Sequence, residues 1–408
     1  MITQWFDPEG GSAALPGVIA RALSSHGAKV DVLTGYPNYP SGSLAPGYRV
    51  RPYQLEDVRG IPVHRAPMWP NHDASGARRA VNYLSFAAGA TAVGLTKFPK
   101  VDAALVHLTP ATVALPGLAL RKVRNTPYVV HIQDLWPETV LNSDLLSGGG
   151  SLVERMLHVM CDSIYRNASA VAVTSPGMAT AVENRGIPTR KIHFVPNWAD
   201  ESSFTPRPRD TALRNEWGLG DRFTVLYAGN FGEYQCIDNL LLAADLLRAR
   251  SDIVFAVVGG GVDEPRLRHL ATEHKLSNVT FIPPQPFERM ASVMSLGDLH
   301  YIALKDLPLF RTTIPSKVQA TLAAGRPIVA AIPGDAARVI SDSDAGDVVP
   351  TESPSELATA IERRADEGRE GADRRGRAAS QYYRTHFSEA SSCAKLLDLL
   401  ESAAGGAA

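Results

Sequence analysis

The sequence predicts an α/β protein built from two Rossmann-like domains that face each other across a cleft. Three observations carry that expectation. The chain has 408 residues, enough for about two domains. Apolar strand-like runs alternate with amphipathic helical stretches nearly throughout, which is the pattern of parallel sheets covered by helices. Both halves open as strand, glycine turn, helix: first Phe6 through Gly10-Gly11, then Ala228-Gly229 through Gly232. Ligands of such domains bind outside the carboxyl ends of the strands.

Residues 1–6 read as the end of a first strand. It is either short or begins upstream of Met1, since a central strand usually has about five or six residues. A helix over 13–25 ends at His26-Gly27. Strands are expected at 30–34, 61–65, 103–107, 128–132, 170–174 and 192–195. The proline-rich polar stretch after Pro196, with Phe204-Thr-Pro-Arg-Pro-Arg209, has the composition of a linker. The pattern then restarts with strands at 224–228, 253–258, 279–282, 299–304 and 327–331 and a helix at 237–249. Ser353-Pro-Ser-Glu356 is a capping box that opens another helix. A last amphipathic segment covers 381–401. The predicted domains are 1–200 and 201–380, with 381–408 returning to the first.

Bulk composition narrows the function classes. The formal net charge is −1, which argues against nucleic acid as a partner. The three cysteines, Cys161, Cys236 and Cys393, form no metal or disulfide pattern and suit a reducing, cytoplasmic setting. The longest apolar run, 80–95, is interrupted by Asn82, Gly89 and Gly94 and is too short to span a bilayer. It reads as a buried helix. Arg78 and Arg79 before it leave peripheral membrane contact as the alternative.

The segment from Pro315 to Ile332 reads as a helix opening on Ser316 and Lys317, closed by Gly325 and followed by a buried strand. A helix N-terminus carries partial positive charge and free N–H groups, so it suits a phosphate. A lysine in that first turn is unfavourable unless something anionic meets it. Upstream, Lys305, Arg311, Thr312 and Ile314 extend the loop. With Lys317, three cations stand where charge on a leaving diphosphate would be stabilised. Gly229 and Asn230 follow a strand and precede a helix without the GxGxxG pattern, which disfavours NAD. Gly10 and Gly11 allow a backbone to approach an anion closely. Asp134 lies just past a strand end, where a carboxylate can orient a hydroxyl; capping a turn is the alternative. Gln133 and Glu138 flank it, while His131 within the strand reads as a core histidine. Asp342-Ser-Asp344 reads as a solvated loop, and no P-loop, GxSxG or HExxH is present.

Six segments together carry a family likeness: Asp7-Pro-Glu-Gly-Gly11, Leu33-Thr-Gly-Tyr-Pro-Asn-Tyr-Pro40, Gln133-Asp-Leu-Trp-Pro-Glu138, Val195-Pro-Asn-Trp198, Tyr227-Ala-Gly-Asn230 and Pro315-Ser-Lys317. Over nearly its whole length the chain resembles retaining glycosyltransferases of family 4, of GT-B fold. Within them it is similar to the bacterial O-antigen and colanic-acid subgroup of fucose and N-acetylfucosamine transferases. The resemblance implies sugar transfer from a UDP- or GDP-linked donor, with retention, no metal and no cofactor. It places donor contacts at Gly10, Gly11, Gly229, Asn230, Lys305, Arg311, Thr312, Ile314, Ser316 and Lys317. Asp134 takes the catalytic position, and Gln133 and Glu138 the acceptor side. The acceptor is expected to be a lipid-linked saccharide at the inner membrane face or a soluble small molecule, as in secondary metabolism.

The chain also departs from the family pattern. Two glutamates common around the donor helix are Thr312 and Ala320 here. The usual arginine and lysine after the first strand of the nucleotide domain are Asn230 and Gln235, and a widespread histidine is Gln133. Those departures shift the phosphate role toward Lys305, Arg311 and Lys317. They also motivate two further alternatives, a sugar-nucleotide 2-epimerase and a nucleotide-sugar-binding pseudoenzyme.

Overall fold

The apolar runs of the first half become strands β1 (Val32–Thr34), β2 (Gln54–Val58), β3 (Ile61–Arg65), β4 (Ala104–Leu108), β5 (Tyr128–Ile132), β6 (Ala170–Val173) and β7 (Ile192–Phe194). The protein is described by a computed structural model that covers residues 1–71, 76–141 and 151–406. It divides into two compact units, Met1–Pro196 with Ser392–Ala408, and Asn197–Ser391.

In the first unit the strand orders are β1-β3-β2 and β4-β5-β6-β7. Ile2 joins the two groups through bridges to Leu33 of β1 and Val106 of β4. Residues 1–3 thus act as a very short strand end, hydrogen-bonded to β1 on one side and β4 on the other. β3, β4, β5 and β6 are almost wholly buried, as strands covered on both faces must be. β2 is different. It pairs antiparallel with β3 through a turn at Arg59 and Gly60, with φ of +54° and +82°, the left-handed geometry that tight hairpins use. Its sequence, Gln-Leu-Glu-Asp-Val, alternates half-buried and exposed, so it carries no apolar run, and the sequence reading missed it.

The second unit holds β8 (Phe223–Asn230), β9 (Ile253–Gly260), β10 (Val279–Ile282), β11 (Leu299–Ala303), β12 (Ile328–Ala331) and β13 (Gly346–Val348). Their order is β10-β9-β8-β11-β12-β13, and every neighbouring pair is parallel. Strand order reverses between β8 and β11, the topological switch point at which doubly wound sheets bind ligands. β8 runs two residues beyond its expected end, because Gly229 and Asn230 remain in register with Gly259 and Gly260. A Cβ on Gly259 would lie 1.9 Å from the Gly229 carbonyl oxygen. The Gly259-Gly260-Gly261 run is therefore a close-approach device that lets two strand ends stay paired.

Three local expectations are corrected. Helix Pro354–His386 starts where the capping box put it, but the Ser353 side chain makes no capping bond to the backbone; its hydroxyl donates to Glu356 at 3.4 Å. The predicted segment 381–401 spans two helices, because the chain breaks after His386 and restarts as Glu389–Gly405, where Ser388 Oγ accepts from Ser391 N–H at 3.3 Å. The linker-like stretch is tied down rather than loose. Tyr383 Oη accepts from Ala199 N–H at 3.1 Å and donates to Glu201 at 3.1 Å, and Arg209 is ion-paired with the buried Asp298.

Helix Gly76–Thr96 buries Asn82, Phe86, Ala87, Gly89, Ala90, Val93 and Gly94 and exposes Val81 and Leu84. Among the described residues no helix is long and apolar enough to cross a membrane.

Candidate functional site in the second unit and a polar cluster in the first

At the switch point of the second unit, helix Ser316–Ala323 begins after Pro315, and no side chain caps it. Ser316 is exposed in its first turn. Lys317 turns back to the end of β8: its Nζ donates to Tyr227 Oη at 2.7 Å and lies 4.2 Å from the Tyr227 ring centroid. Tyr227 Oη in turn donates to the Asn230 carbonyl at 2.6 Å. Gly229, at φ +150°, makes room, because a Cβ there would sit 2.4 Å from Lys317 Cε. Among the described residues no carboxylate lies within ion-pair distance of Lys317. Burial alone pulls its pKa down to about 8. A buried cation without a counter-charge is costly to keep, which makes this position a candidate for anion binding.

The other two predicted cations are already engaged. Lys305 Nζ pairs with Glu233 at 3.1 Å, and the Arg311 guanidinium forks onto Asp306 at 2.7 and 2.9 Å. Lys305 helps to line a cavity of about 480 Å³ with Glu233, Asp238, Val262, Asp263 and Arg266. Thr312 Oγ1 donates to the Leu309 carbonyl at 3.3 Å, and Ile314 packs on the apolar cluster around Val318 and Leu322. Of the donor-side residues predicted in this unit, the structure gathers Gly229, Asn230 and Lys317 about one point.

In the first unit Asp134 sits after β5, and its Oδ2 accepts from Thr109 Oγ1 at 2.5 Å, after β4. Burial raises the Asp134 pKa against that bond. His131 is the core histidine expected. Its pKa is lowered by burial to about 4, so it is neutral. Nε2–H donates to the Val195 carbonyl at 3.1 Å, leaving Nδ1 to accept from the Gln133 amide at 3.2 Å. Beside it His107 is neutral too, lowered to about 3 by burial and then by His131. Glu138 lies 3.6 Å from Arg185, whose guanidinium also holds Asp162 and the Trp136 carbonyl. Gly10 takes an extended conformation at φ −104° with nothing crowding it; Gly11 opens a 3-10 turn. Gly10 does not use the left-handed region.

Sequence reasoning missed Glu9. This buried carboxylate accepts from Phe6 N–H at 3.0 Å, Asn38 N–H at 2.7 Å and Tyr39 N–H at 2.8 Å, clasping the glycine loop to the Asn38–Tyr39 turn. Burial pushes its pKa up to about 6 in spite of those three donors. Two of its three partners lie 29 and 30 residues away, so local sequence carries no sign of the clasp. Among the described residues no cluster of three or more His, Cys, Asp or Glu side chains could hold a metal ion.

Residues 10–198 match the family described as glycosyl transferase 4-like domain, and residues 222–367 match the family described as glycosyl transferases group 1. In fold, sucrose-phosphate synthase from Thermosynechococcus elongatus superposes with a TM-score of 0.72 over 96% of this chain and 93% of its own, at 19% identity. The two family matches together place glycosyltransferase domains over most of the chain, and its fold is GT-B. The chain is 28% identical over 314 residues, 76% of each chain, to the protein named "Putative colanic acid biosynthesis glycosyl transferase WcaI" of Escherichia coli (strain K12). Anabaena HepE, solved in complex with UDP-glucose, superposes with a TM-score of 0.69 at 16% identity, covering 98% of each chain.

Proposed function

We propose that this glycosyltransferase moves a sugar from a nucleoside-diphosphate donor to an acceptor hydroxyl, with retention of configuration and without a metal. The observation that carries the reading is Lys317, a cation without a carboxylate partner among the described residues, at an uncapped helix start beside the switch point of a doubly wound sheet. The donor diphosphate binds there, with Asn230, the Gly229 backbone and Ser316. Lys305 and Arg311 assist at the rim once they leave Glu233 and Asp306; Thr312 and Ile314 shape the loop between them. UDP and GDP are the candidate nucleotides, UDP being the one in the HepE complex.

Lys317 and the helix N-terminus stabilise charge on the departing diphosphate, the service a divalent cation would otherwise provide. The bond from the anomeric carbon to the phosphate oxygen breaks as the acceptor oxygen attacks the same face. The acceptor proton passes to a donor phosphate oxygen, so positioning replaces a protein base. We assign the acceptor to the first unit, with Asp134 orienting its hydroxyl and Gln133 and Glu138 beside it; Gly10 and Gly11 are assigned to the donor, whose phosphates a bare backbone can approach. A saccharide acceptor, lipid-linked or free, accords with the name of the Escherichia coli relative. Three buried free cysteines accord with a cytoplasmic setting, and a lipid-linked acceptor requires peripheral membrane contact. The test is incubation with UDP- and GDP-sugars and saccharide acceptors, following released nucleotide and reading the product's anomeric configuration by NMR. Transfer with retention is expected. Inversion, or conversion of the donor without any acceptor, contradicts the proposal.

A further inference from the structure

We propose that Tyr227 is a positioning residue of the diphosphate site, its hydroxyl fixing where Lys317 presents its charge. The inference rests on the donor reading above and adds a residue to it. Tyr227 lies in β8, its ring within 6.0 Å of Phe231 and 6.4 Å of Tyr301 between centroids. A phenylalanine would fill that aromatic cluster as well. The hydroxyl needs another explanation, because burying one costs free energy unless it is bonded.

Its bonds form an ordered chain. The phenol proton goes to the Asn230 carbonyl at 2.6 Å, so the oxygen presents only lone pairs to Lys317 Nζ at 2.7 Å. Burial raises the Tyr227 pKa above the ordinary phenol value, so it stays a neutral hydroxyl and that direction of donation holds. The ammonium also lies 4.2 Å from the ring centroid, on the hydroxyl side of the ring and within reach of its π cloud. Gly229 closes the other side with bare backbone, where any Cβ would fall 2.6 Å from Nζ. An ammonium has three N–H donors; Tyr227 takes one and sets the direction of the rest. A four-carbon flexible stem is thereby converted into a fixed cation, and holding it beforehand removes an ordering cost from ligand binding.

The test compares the wild type with Tyr227→Phe and Lys317→Met. Ligand-observed NMR and calorimetry would measure binding of UDP, uridine, GDP and guanosine, beside melting temperature. Tyr227→Phe should weaken the diphosphate that the wild type binds by about tenfold, the worth of one charge-assisted hydrogen bond. It should leave the matching nucleoside and the melting temperature unchanged. Equal loss of nucleotide and nucleoside, or a large fall in melting temperature, would make Tyr227 a packing residue and overturn the inference. So would wild-type diphosphate affinity in Tyr227→Phe while Lys317→Met loses it, an outcome that leaves the donor reading standing. Undiminished binding in Lys317→Met, or no diphosphate binding by the wild type, would overturn both.

Discussion

Lys317 costs this fold something. Burial holds its pKa at about 8 instead of 10.5, and at roughly 1.4 kcal/mol per unit the charged form is disfavoured by about 3 kcal/mol. The sign follows from proton counting. Between pH 8 and 10.5 the unfolded chain keeps this proton and the native chain does not, so stability from this group rises with pH across that window. A residue present only for stability would not be placed this way. Lys317→Met is therefore expected to leave the melting temperature unchanged or raise it, while nucleotide affinity falls by at least tenfold. In the proposed site a bound diphosphate would supply the missing counter-charge and raise the lysine pKa, so that near pH 8 binding would take up a proton. Calorimetry should show wild-type affinity falling as pH rises above about 8 and no such limb in Lys317→Met. A melting temperature that drops with the substitution, or a pH-independent affinity, would place the lysine in the scaffold. Lys317 stands out in sequence because a basic side chain in a helix's first turn breaks a local rule. Tyr227 does not, because an aromatic residue in a buried strand breaks none.

At the scale of elements, the end of β8 and β9 is shaped by glycine. Gly259, at φ +142° and with the Gly229 carbonyl oxygen 1.9 Å from its missing Cβ, admits no side chain. Gly220, at φ +58° with nothing nearby, is strained by substitution but not crowded. Gly259→Ala should cost about 2–4 kcal/mol, strain and overpacking together, and Gly220→Ala about 1 kcal/mol. For a unit of this size that separates their melting temperatures by several degrees, readable by circular dichroism. Equal losses would mean that the strand ends relax freely. Elements with strong periodicity, such as β3, β5 and β10, were legible to the residue. β2 was not, since its charged, alternating sequence pairs only because a turn folds it onto β3.

At the scale of the whole molecule, each end of the second unit's sheet has a separate task. At the amino ends, the buried Asp298 accepts from Thr224 N–H at 2.8 Å, pairs with Arg209 and lies 3.8 Å from Arg214, joining segments as far as 89 residues apart. At the carboxyl ends, charge is left without such compensation at Lys317. The two-unit architecture was readable from the repeated strand, glycine turn, helix opening, because parallel strands buried on both faces write themselves as apolar runs. The carboxylate pins at Asp298 and Glu9 were not, because contacts across tens of residues leave no local pattern. The most direct measurement is a thermal-shift titration of the wild-type protein with UDP, GDP, dTDP and their sugars. One nucleotide class should stabilise the fold clearly above the others, by about 2.7 kcal/mol at a hundredfold excess over its dissociation constant. No stabilisation by any of them would contradict a nucleotide-sugar donor site at Lys317.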